Sequence, residues 1–66
     1  MIILYSKDDC PRSDMLKTKL NAKGIEFQEV KDITVIEQLG IDFLPVLNVG
    51  GVLMELSKAN DYINSL

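Results

Sequence analysis

The sequence predicts one small α/β domain over residues 1–66, in which a mixed four-stranded sheet carries three helices in the order β-α-β-α-β-β-α. Three observations lead to this prediction. A short apolar segment opens the chain, a helical pattern begins at the proline in position 11, and a Gly-Gly pair separates two later apolar segments. A β-α-β unit followed by a hairpin and a last helix gives a sheet with both parallel and antiparallel neighbours.

The first half of the chain predicts a strand, a helix and a second strand. Met1–Tyr5 is apolar at consecutive positions, as in a strand that is covered on both faces. Pro11 suits the first position of a helix that runs to residue 23, with Cys10 as its N-cap and Gly24 as its C-terminal stop. Ile25–Val30 alternates at its start between apolar and polar residues, which predicts a strand with one buried face near an edge of the sheet.

The second half predicts a short helix, a hairpin and a C-terminal helix. The segment Ile33–Gly40 allows a helix of about two turns. Pro45–Val49 and Val52–Met54 predict two strands joined by a turn at Gly50-Gly51. Ser57 can cap the last helix. The apolar residues of that helix follow helical spacing at Ala59, Tyr62, Ile63 and Leu66.

Charge and composition argue against several classes of function. The net charge of -3 and the pI of about 4.6 disfavour a nucleic-acid partner, which requires a basic surface. No apolar stretch approaches the roughly 20 residues of a membrane span, so we expect a cytoplasmic monomer without a membrane partner. One cysteine and no histidine support neither an internal disulfide nor a mononuclear zinc site, so we expect no metal and no tightly bound cofactor.

Cys10 is the candidate nucleophile. Only the thiolate is a good nucleophile, and a free cysteine with a pKa of about 8.5 is mostly protonated at neutral pH. The helix N-terminus, the Ser13 hydroxyl and N–H, and the cations of Lys7 and Arg12 can each lower this pKa. The nearby carboxylates oppose them, namely Asp8, Asp9 and Asp14. A lone cysteine is often a buried apolar residue, but the polar segments on both sides of Cys10 favour a reactive thiol.

The segment Lys-Asp-Asp-Cys-Pro-Arg-Ser at positions 7–13, together with Gly24-Ile25 and Leu44-Pro45, resembles the glutaredoxin family over essentially the whole chain. The resemblance implies a thioredoxin fold and a thiol–disulfide oxidoreductase that acts in electron transport. It also implies that Cys10 and Ser13 correspond to the C-P-x-C or C-P-x-S motif at the start of the first helix. Pro45 then corresponds to the family's cis-proline, which faces the cysteine.

The same resemblance implies which residues bind substrate: Lys7, Pro11, Arg12, Leu44 and Pro45. Lys7 matches the lysine that approaches the glycyl carboxylate of glutathione in the family. Leu44 would offer its backbone N–H and C=O to an extended cysteinyl segment, a pairing that does not depend on side-chain identity.

Two departures from the family pattern leave alternatives open. Ser13 stands in place of the second, resolving cysteine, as in a natural monothiol form or a Cys-to-Ser variant of a two-cysteine protein. The residues Glu55-Leu56-Ser57-Lys58 stand before or within the last helix, where the family usually has a Gly-Gly-x-Asp stretch. That stretch holds the γ-glutamyl end of glutathione.

The leading hypothesis is that the Cys10 thiolate attacks mixed or protein disulfides and that glutathione is the co-substrate. The first alternative is a redoxin that serves ribonucleotide reductase and takes electrons from a thioredoxin-reductase-like donor. The second is a monothiol glutaredoxin that binds an iron–sulfur cluster between two subunits. Members of that last group carry C-G-F-S, whereas this chain has Cys10-Pro11-Arg12-Ser13.

Overall fold

The computed structural model describes residues 1–66 and contains four strands and three helices in the predicted order. The strands are β1 (Ile2–Tyr5), β2 (Gln28–Val30), β3 (Val46–Val49) and β4 (Val52–Met54). The helices are α1 (Pro11–Ala22), α2 (Ile33–Gln38) and α3 (Leu56–Asn64). None of these helices has the length and apolar character needed to cross a membrane.

The strands form one mixed sheet in the order β2-β1-β3-β4. β1 runs parallel to β2 and antiparallel to β3, and β3 runs antiparallel to β4. Leu4 of β1 lies opposite Glu29 on one side and Leu47 on the other. β1 is therefore an inner strand and β2 an edge strand, and the predicted fold class is confirmed.

Apolar side chains pack on both faces of this sheet. The larger cluster joins the sheet to α1 and α3 and consists of Leu4, Leu16, Leu20, Leu47, Ala59 and Ile63. The smaller cluster joins the sheet to α2 and consists of Tyr5, Ile36 and Val46. Leu4 and Tyr5 are neighbours in β1, and successive side chains of a strand point to opposite faces. Burial on both faces explains why β1 is apolar at consecutive positions.

Glycines allow two of the reversals that connect these elements. Gly24, with a φ of 68°, follows α1, and the N–H of Ile25 donates to the Leu20 carbonyl at 3.0 Å. This arrangement ends the helix and turns the chain back toward β2. Gly50 and Gly51 have φ values of 58° and 94°, as a two-residue turn between twisted antiparallel strands requires.

The second strand is shorter than predicted. Pairing with β1 begins at Gln28, so the segment Ile25–Phe27 is not part of the sheet. The N–H of Ile25 is already used by the end of α1, which keeps this segment outside the ladder. Ile25 and Phe27 still pack against the larger cluster, so their apolar character reflects core packing without strand pairing.

The prediction that Ser57 caps the last helix is wrong. Glu55 is the N-cap, and its carbonyl accepts the N–H of Ala59 at 2.8 Å. Leu56 occupies the first helical position because its side chain packs against the larger cluster. Packing of this leucine therefore outweighs the preference of serine for the capping position.

Two leucines of the hairpin provide a matched test of the core. Leu47 is fully buried between the sheet and the helices, whereas Leu53 is 50% exposed. We expect Leu47→Ala to lower the free energy of unfolding by about 2–5 kcal/mol and Leu53→Ala by about 1 kcal/mol or less. Urea unfolding followed by circular dichroism measures both losses. Equal losses would contradict the assignment of the core.

Candidate active site

Cys10 lies at the N-cap of α1, directly after the loop that leaves β1. Its backbone is extended, with φ of -111° and ψ of 105°, and its carbonyl accepts the N–H of Asp14 at 3.0 Å. Pro11 occupies the first helical position, where the absence of an N–H has no cost. The Cys10 residue is 7% exposed, so its side chain is covered but lies close to the surface. The predicted capping position is confirmed.

A cleft of about 330 Å³ lies over this cysteine. It is lined by Lys7, Asp9, Cys10, Pro11, Arg12 and Leu44. Four of the five residues predicted to bind substrate therefore meet the cysteine in one cleft. The fifth, Pro45, is fully buried beside Leu44 and does not line the cleft. The peptide bond between Leu44 and Pro45 is cis, as the family resemblance implies.

The surroundings hold the pKa of the Cys10 thiol below its ordinary value of 9.0. The largest contribution comes from the Ser13 hydroxyl and the next from the Ser13 backbone N–H, because both are donors that can stabilise the thiolate. Burial acts in the opposite direction. The backbone N–H of Arg12 and the positive charge of Lys7 lower the pKa further. Arg12 thus acts here through its backbone.

Ser13 is the polar group on which this site depends most. The residue is fully buried, and its Oγ has no hydrogen-bond partner. A buried hydroxyl without a partner costs about 1–3 kcal/mol. Ionisation of Cys10 supplies an acceptor for this hydroxyl, which is the physical reason that Ser13 favours the thiolate.

Two of the three carboxylates near the cysteine are paired with lysines. Asp8 lies 3.0 Å from the Lys31 ammonium, and Asp14 lies 3.3 Å from that of Lys17. The pairing reduces the repulsion that these carboxylates would exert on a thiolate. No group of three His, Cys, Asp or Glu side chains forms a possible metal site.

The sequence prediction did not place Asp9 among the residues of the cleft. Asp9 lines the cleft with a φ of 56°, a left-handed conformation that non-glycine residues adopt infrequently. The signal was present in the sequence, since aspartate is among the residues that tolerate this conformation best and it directly precedes the N-cap.

Two further hollows extend the cleft into a groove. Lys7 and Leu44 also border a hollow that includes the exposed apolar side chains of Ile33 and Phe43. A third hollow shares Phe43 with the second and reaches the start of α3. Its far wall is formed by Leu53, Met54, Glu55 and Lys58. The groove therefore connects Cys10 with the segment at which the chain departs from the Gly-Gly-x-Asp pattern.

Comparison with known proteins agrees with this arrangement. The family model described as Glutaredoxin matches residues 2–54, which include the cysteine loop, α1 and the Leu44–Pro45 bond. Among solved structures, the chain is similar to the glutaredoxin-like protein NrdH-redoxin from Escherichia coli, with 25% sequence identity and a TM-score of 0.76. The match covers 98% of this chain and 92% of that chain. No curated protein sequence matches the chain.

Replacement of Ser13 by alanine should separate its electrostatic role from its structural role. We expect Ser13→Ala to raise the pKa of Cys10, because the thiolate loses its strongest donor. We also expect little loss of stability, because the variant removes a buried hydroxyl that has no oxygen or nitrogen partner. The pH dependence of Cys10 alkylation by iodoacetamide measures the first effect, and urea unfolding measures the second. An unchanged alkylation profile would contradict this assignment.

The lowered pKa also predicts how stability depends on pH. Because the folded-state pKa of Cys10 lies below its unfolded value, ionisation stabilises the fold. This contribution is fully present above the unfolded pKa and is lost as the pH falls through the folded pKa. The difference in unfolding free energy between the wild type and Cys10→Ala should therefore grow as the pH rises toward 9.0. A difference that stays constant or shrinks would refute the lowered pKa.

Proposed function

The chain belongs to the glutaredoxin family and has a thioredoxin fold, and from this premise we propose that it is a thiol–disulfide oxidoreductase with Cys10 as its nucleophile. The observation that carries the proposal is the position of Cys10, at the N-cap of α1 and beneath a cleft, where the hydroxyl and backbone N–H of Ser13 and the backbone N–H of Arg12 are the donors that lower its pKa. These donors favour the thiolate, which is the reactive form in disulfide exchange.

The reaction consists of two exchanges on a single sulfur. The Cys10 thiolate attacks one sulfur of a substrate disulfide, a new disulfide forms to Cys10, and the other substrate sulfur leaves as a thiolate that takes up a proton. A second thiolate, from the reducing co-substrate, then attacks this mixed disulfide. This attack releases the Cys10 thiolate, and the sulfur that came from the substrate remains in a new disulfide with the co-substrate sulfur. When the retained sulfur belongs to a co-substrate molecule, as in a mixed disulfide with a protein, the products are the protein thiol and the co-substrate disulfide. A disulfide within a protein needs a second co-substrate thiol, so that two thiols are oxidised to one disulfide while the two protein sulfurs are reduced.

We propose disulfides of proteins, including mixed disulfides, as the substrate class. The groove beside Cys10 exposes apolar side chains, with Phe43 58% exposed, to which residues on one side of a reacting cysteine could bind. Leu44 borders both the cleft and the next hollow, so backbone pairing at this residue would align an extended segment across the sulfur.

Glutathione is the proposed co-substrate, with no tightly bound cofactor. Lys7 supports this part of the proposal, because it lines the cleft over Cys10 and its ammonium could pair there with the carboxylate of a thiol-bearing peptide. Pro11, Arg12 and the buried Pro45 would shape the binding surface around the sulfur.

A redoxin that accepts electrons from a thioredoxin-reductase-like donor is the second candidate. Two observations favour it. The similar NrdH-redoxin from Escherichia coli is described as having a thioredoxin-like activity profile. In addition, the start of α3 presents Glu55 and Lys58 to the groove instead of a Gly-Gly-x-Asp stretch. A redoxin of this kind accepts electrons through two cysteines of its own, and Ser13 stands where the second cysteine would be, which argues against this candidate.

Replacement of Ser13 by cysteine tests whether the chain lacks only the second, resolving step of disulfide reduction. A serine hydroxyl is not ionised near neutral pH and cannot attack a mixed disulfide at Cys10. We expect Ser13→Cys to gain reduction of insulin disulfides, because a second sulfur in the first turn of α1 can displace the bound substrate. The wild type should instead accumulate a mixed disulfide, which intact mass after incubation with oxidised glutathione detects.

Glutathione and thioredoxin reductase are supplied as donors in separate assays, with Cys10→Ser as the inactive control. If the wild type reduces insulin as fast as Ser13→Cys, the role assigned to position 13 is wrong. If only thioredoxin reductase supports Ser13→Cys, the second candidate replaces the glutathione-linked one. If neither donor supports either protein and Cys10 forms no mixed disulfide, the proposed activity itself is wrong.

A further inference from the structure

The loop between β1 and α1, residues 6–10, is held from outside by the end of β2. The backbone N–H of Ser6 donates to the Val30 carbonyl at 3.0 Å, which continues the pairing of β1 with β2 by one residue. The Ser6 hydroxyl donates to Glu29 Oε2 at 2.7 Å, and Ser6 is fully buried. Two residues further on, Asp8 pairs with Lys31 at 3.0 Å. The start and the middle of this loop are thus held by three consecutive residues, Glu29 and Val30 at the end of β2 and Lys31 directly after it.

The Glu29 carboxylate also contacts α1, the element on the other side of the cysteine. The same Oε2 that accepts from Ser6 lies 3.0 Å from the Lys17 ammonium, and Oε1 lies 4.0 Å from that of Lys31. The Glu29 side chain is 26% exposed, as is that of Lys17, so solvent only partly screens their interaction. One carboxylate therefore joins the segment before Cys10 to the helix after it.

The conformation of the loop requires such support. Asp9 holds a φ of 56°, which a non-glycine residue keeps only where its surroundings determine it. The loop also sets the position of Lys7, whose charge contributes to the environment of the sulfur. Release of the loop would let Asp9 relax and would move Lys7 relative to Cys10.

We propose that Glu29 is a positioning residue for the reaction, acting on Cys10 through Ser6 and Lys17, with the Lys31–Asp8 pair as an additional support. This inference rests on the proposed Cys10 chemistry. Glu29 itself lies outside the cleft and touches none of the reacting atoms, so its effect reaches the thiol only through the loop and the helix.

The sign of one measurement distinguishes this role from simple electrostatics. Removal of a negative charge near a thiol favours the thiolate, so a direct effect of Glu29→Gln would lower the pKa of Cys10. Loss of the positioning contacts would raise that pKa, because the donors and the lysine charge are no longer held around the sulfur. A purely structural role would lower the stability and leave the pKa unchanged.

The experiment compares Glu29→Gln with Glu26→Gln by the pH dependence of Cys10 alkylation with iodoacetamide. Glu26 is exposed, lies just before β2 and forms no ion pair, so the same substitution there is the matched control. We expect Glu29→Gln to raise the pKa and to slow alkylation roughly two- to five-fold at a pH below the pKa. Glu26→Gln should match the wild type. An unchanged or lowered pKa in Glu29→Gln would overturn the proposal.

A second variant covers the case in which Glu29→Gln does not fold. The Asp8 side chain is 80% exposed and does not line the cleft, so replacing it should leave the fold intact. We expect Asp8→Ala, which breaks the pair with Lys31, to raise the pKa of Cys10, whereas the loss of a negative charge alone would lower it. An unchanged or lowered pKa in Asp8→Ala would overturn the proposal. A wild-type Cys10 with an ordinary pKa and no exchange with disulfides would instead show that the proposed function fails.

Discussion

In this protein β1 is buried on both faces of the sheet, so other elements must pack against it on each side. Leu4 points toward α1 and α3, and Tyr5 points toward α2. The three helices are therefore divided between the two faces, and β1 pairs with β2 on one edge and β3 on the other. Because α1 must return across the face that Leu4 occupies, its N-terminus lies just beyond the end of β1. The short connection between them brings Cys10 to this end of the sheet.

The chemistry of the site follows from that connection. A cysteine at a helix N-cap lies beside backbone N–H groups that have no partner within the helix, and here these groups and the Ser13 hydroxyl lower the pKa of Cys10. The same serine removes the possibility of an internal disulfide. One residue therefore favours the first exchange, attack by Cys10, and leaves the second exchange to an external thiol. This division links the buried position of Ser13 to the proposed one-cysteine reaction.

Two carboxylates near the site are paired with lysines, whereas two cationic residues line the cleft itself. Asp8 and Asp14 lie near the cysteine in the sequence, but each forms an ion pair with a lysine, and neither lines the cleft. Lys7 and Arg12 remain in the cleft. The acidic chain as a whole thus places two cationic residues along the cleft over its only thiol, which suits the proposed anionic thiol co-substrate. Of the two charges, that of Lys7 also lowers the pKa of Cys10.

The sequence by itself determined the order of elements, the capping position of Cys10 and the hairpin at Gly50-Gly51, because these depend on local properties. Consecutive apolar residues require burial on both faces, a proline restricts where a helix begins, and glycines permit a tight turn. It did not determine where β2 begins or which residue caps α3. Ile25 and Leu56 are apolar in either arrangement, and only their packing against the core decides between them.

The residues of the site also fall into two groups: those that the sequence indicated and those that only the tertiary structure decided. The family motif indicated Lys7, Cys10, Ser13 and Leu44, and the fold brings Lys7, Cys10 and Leu44 into one cleft with Ser13 buried next to it. Asp9 in the cleft and Glu29 behind it were decided only by tertiary structure. Glu29 is 23 residues from Ser6 in the chain, and no local pattern marks an interaction between them. Their contact exists because parallel pairing places the ends of β1 and β2 side by side.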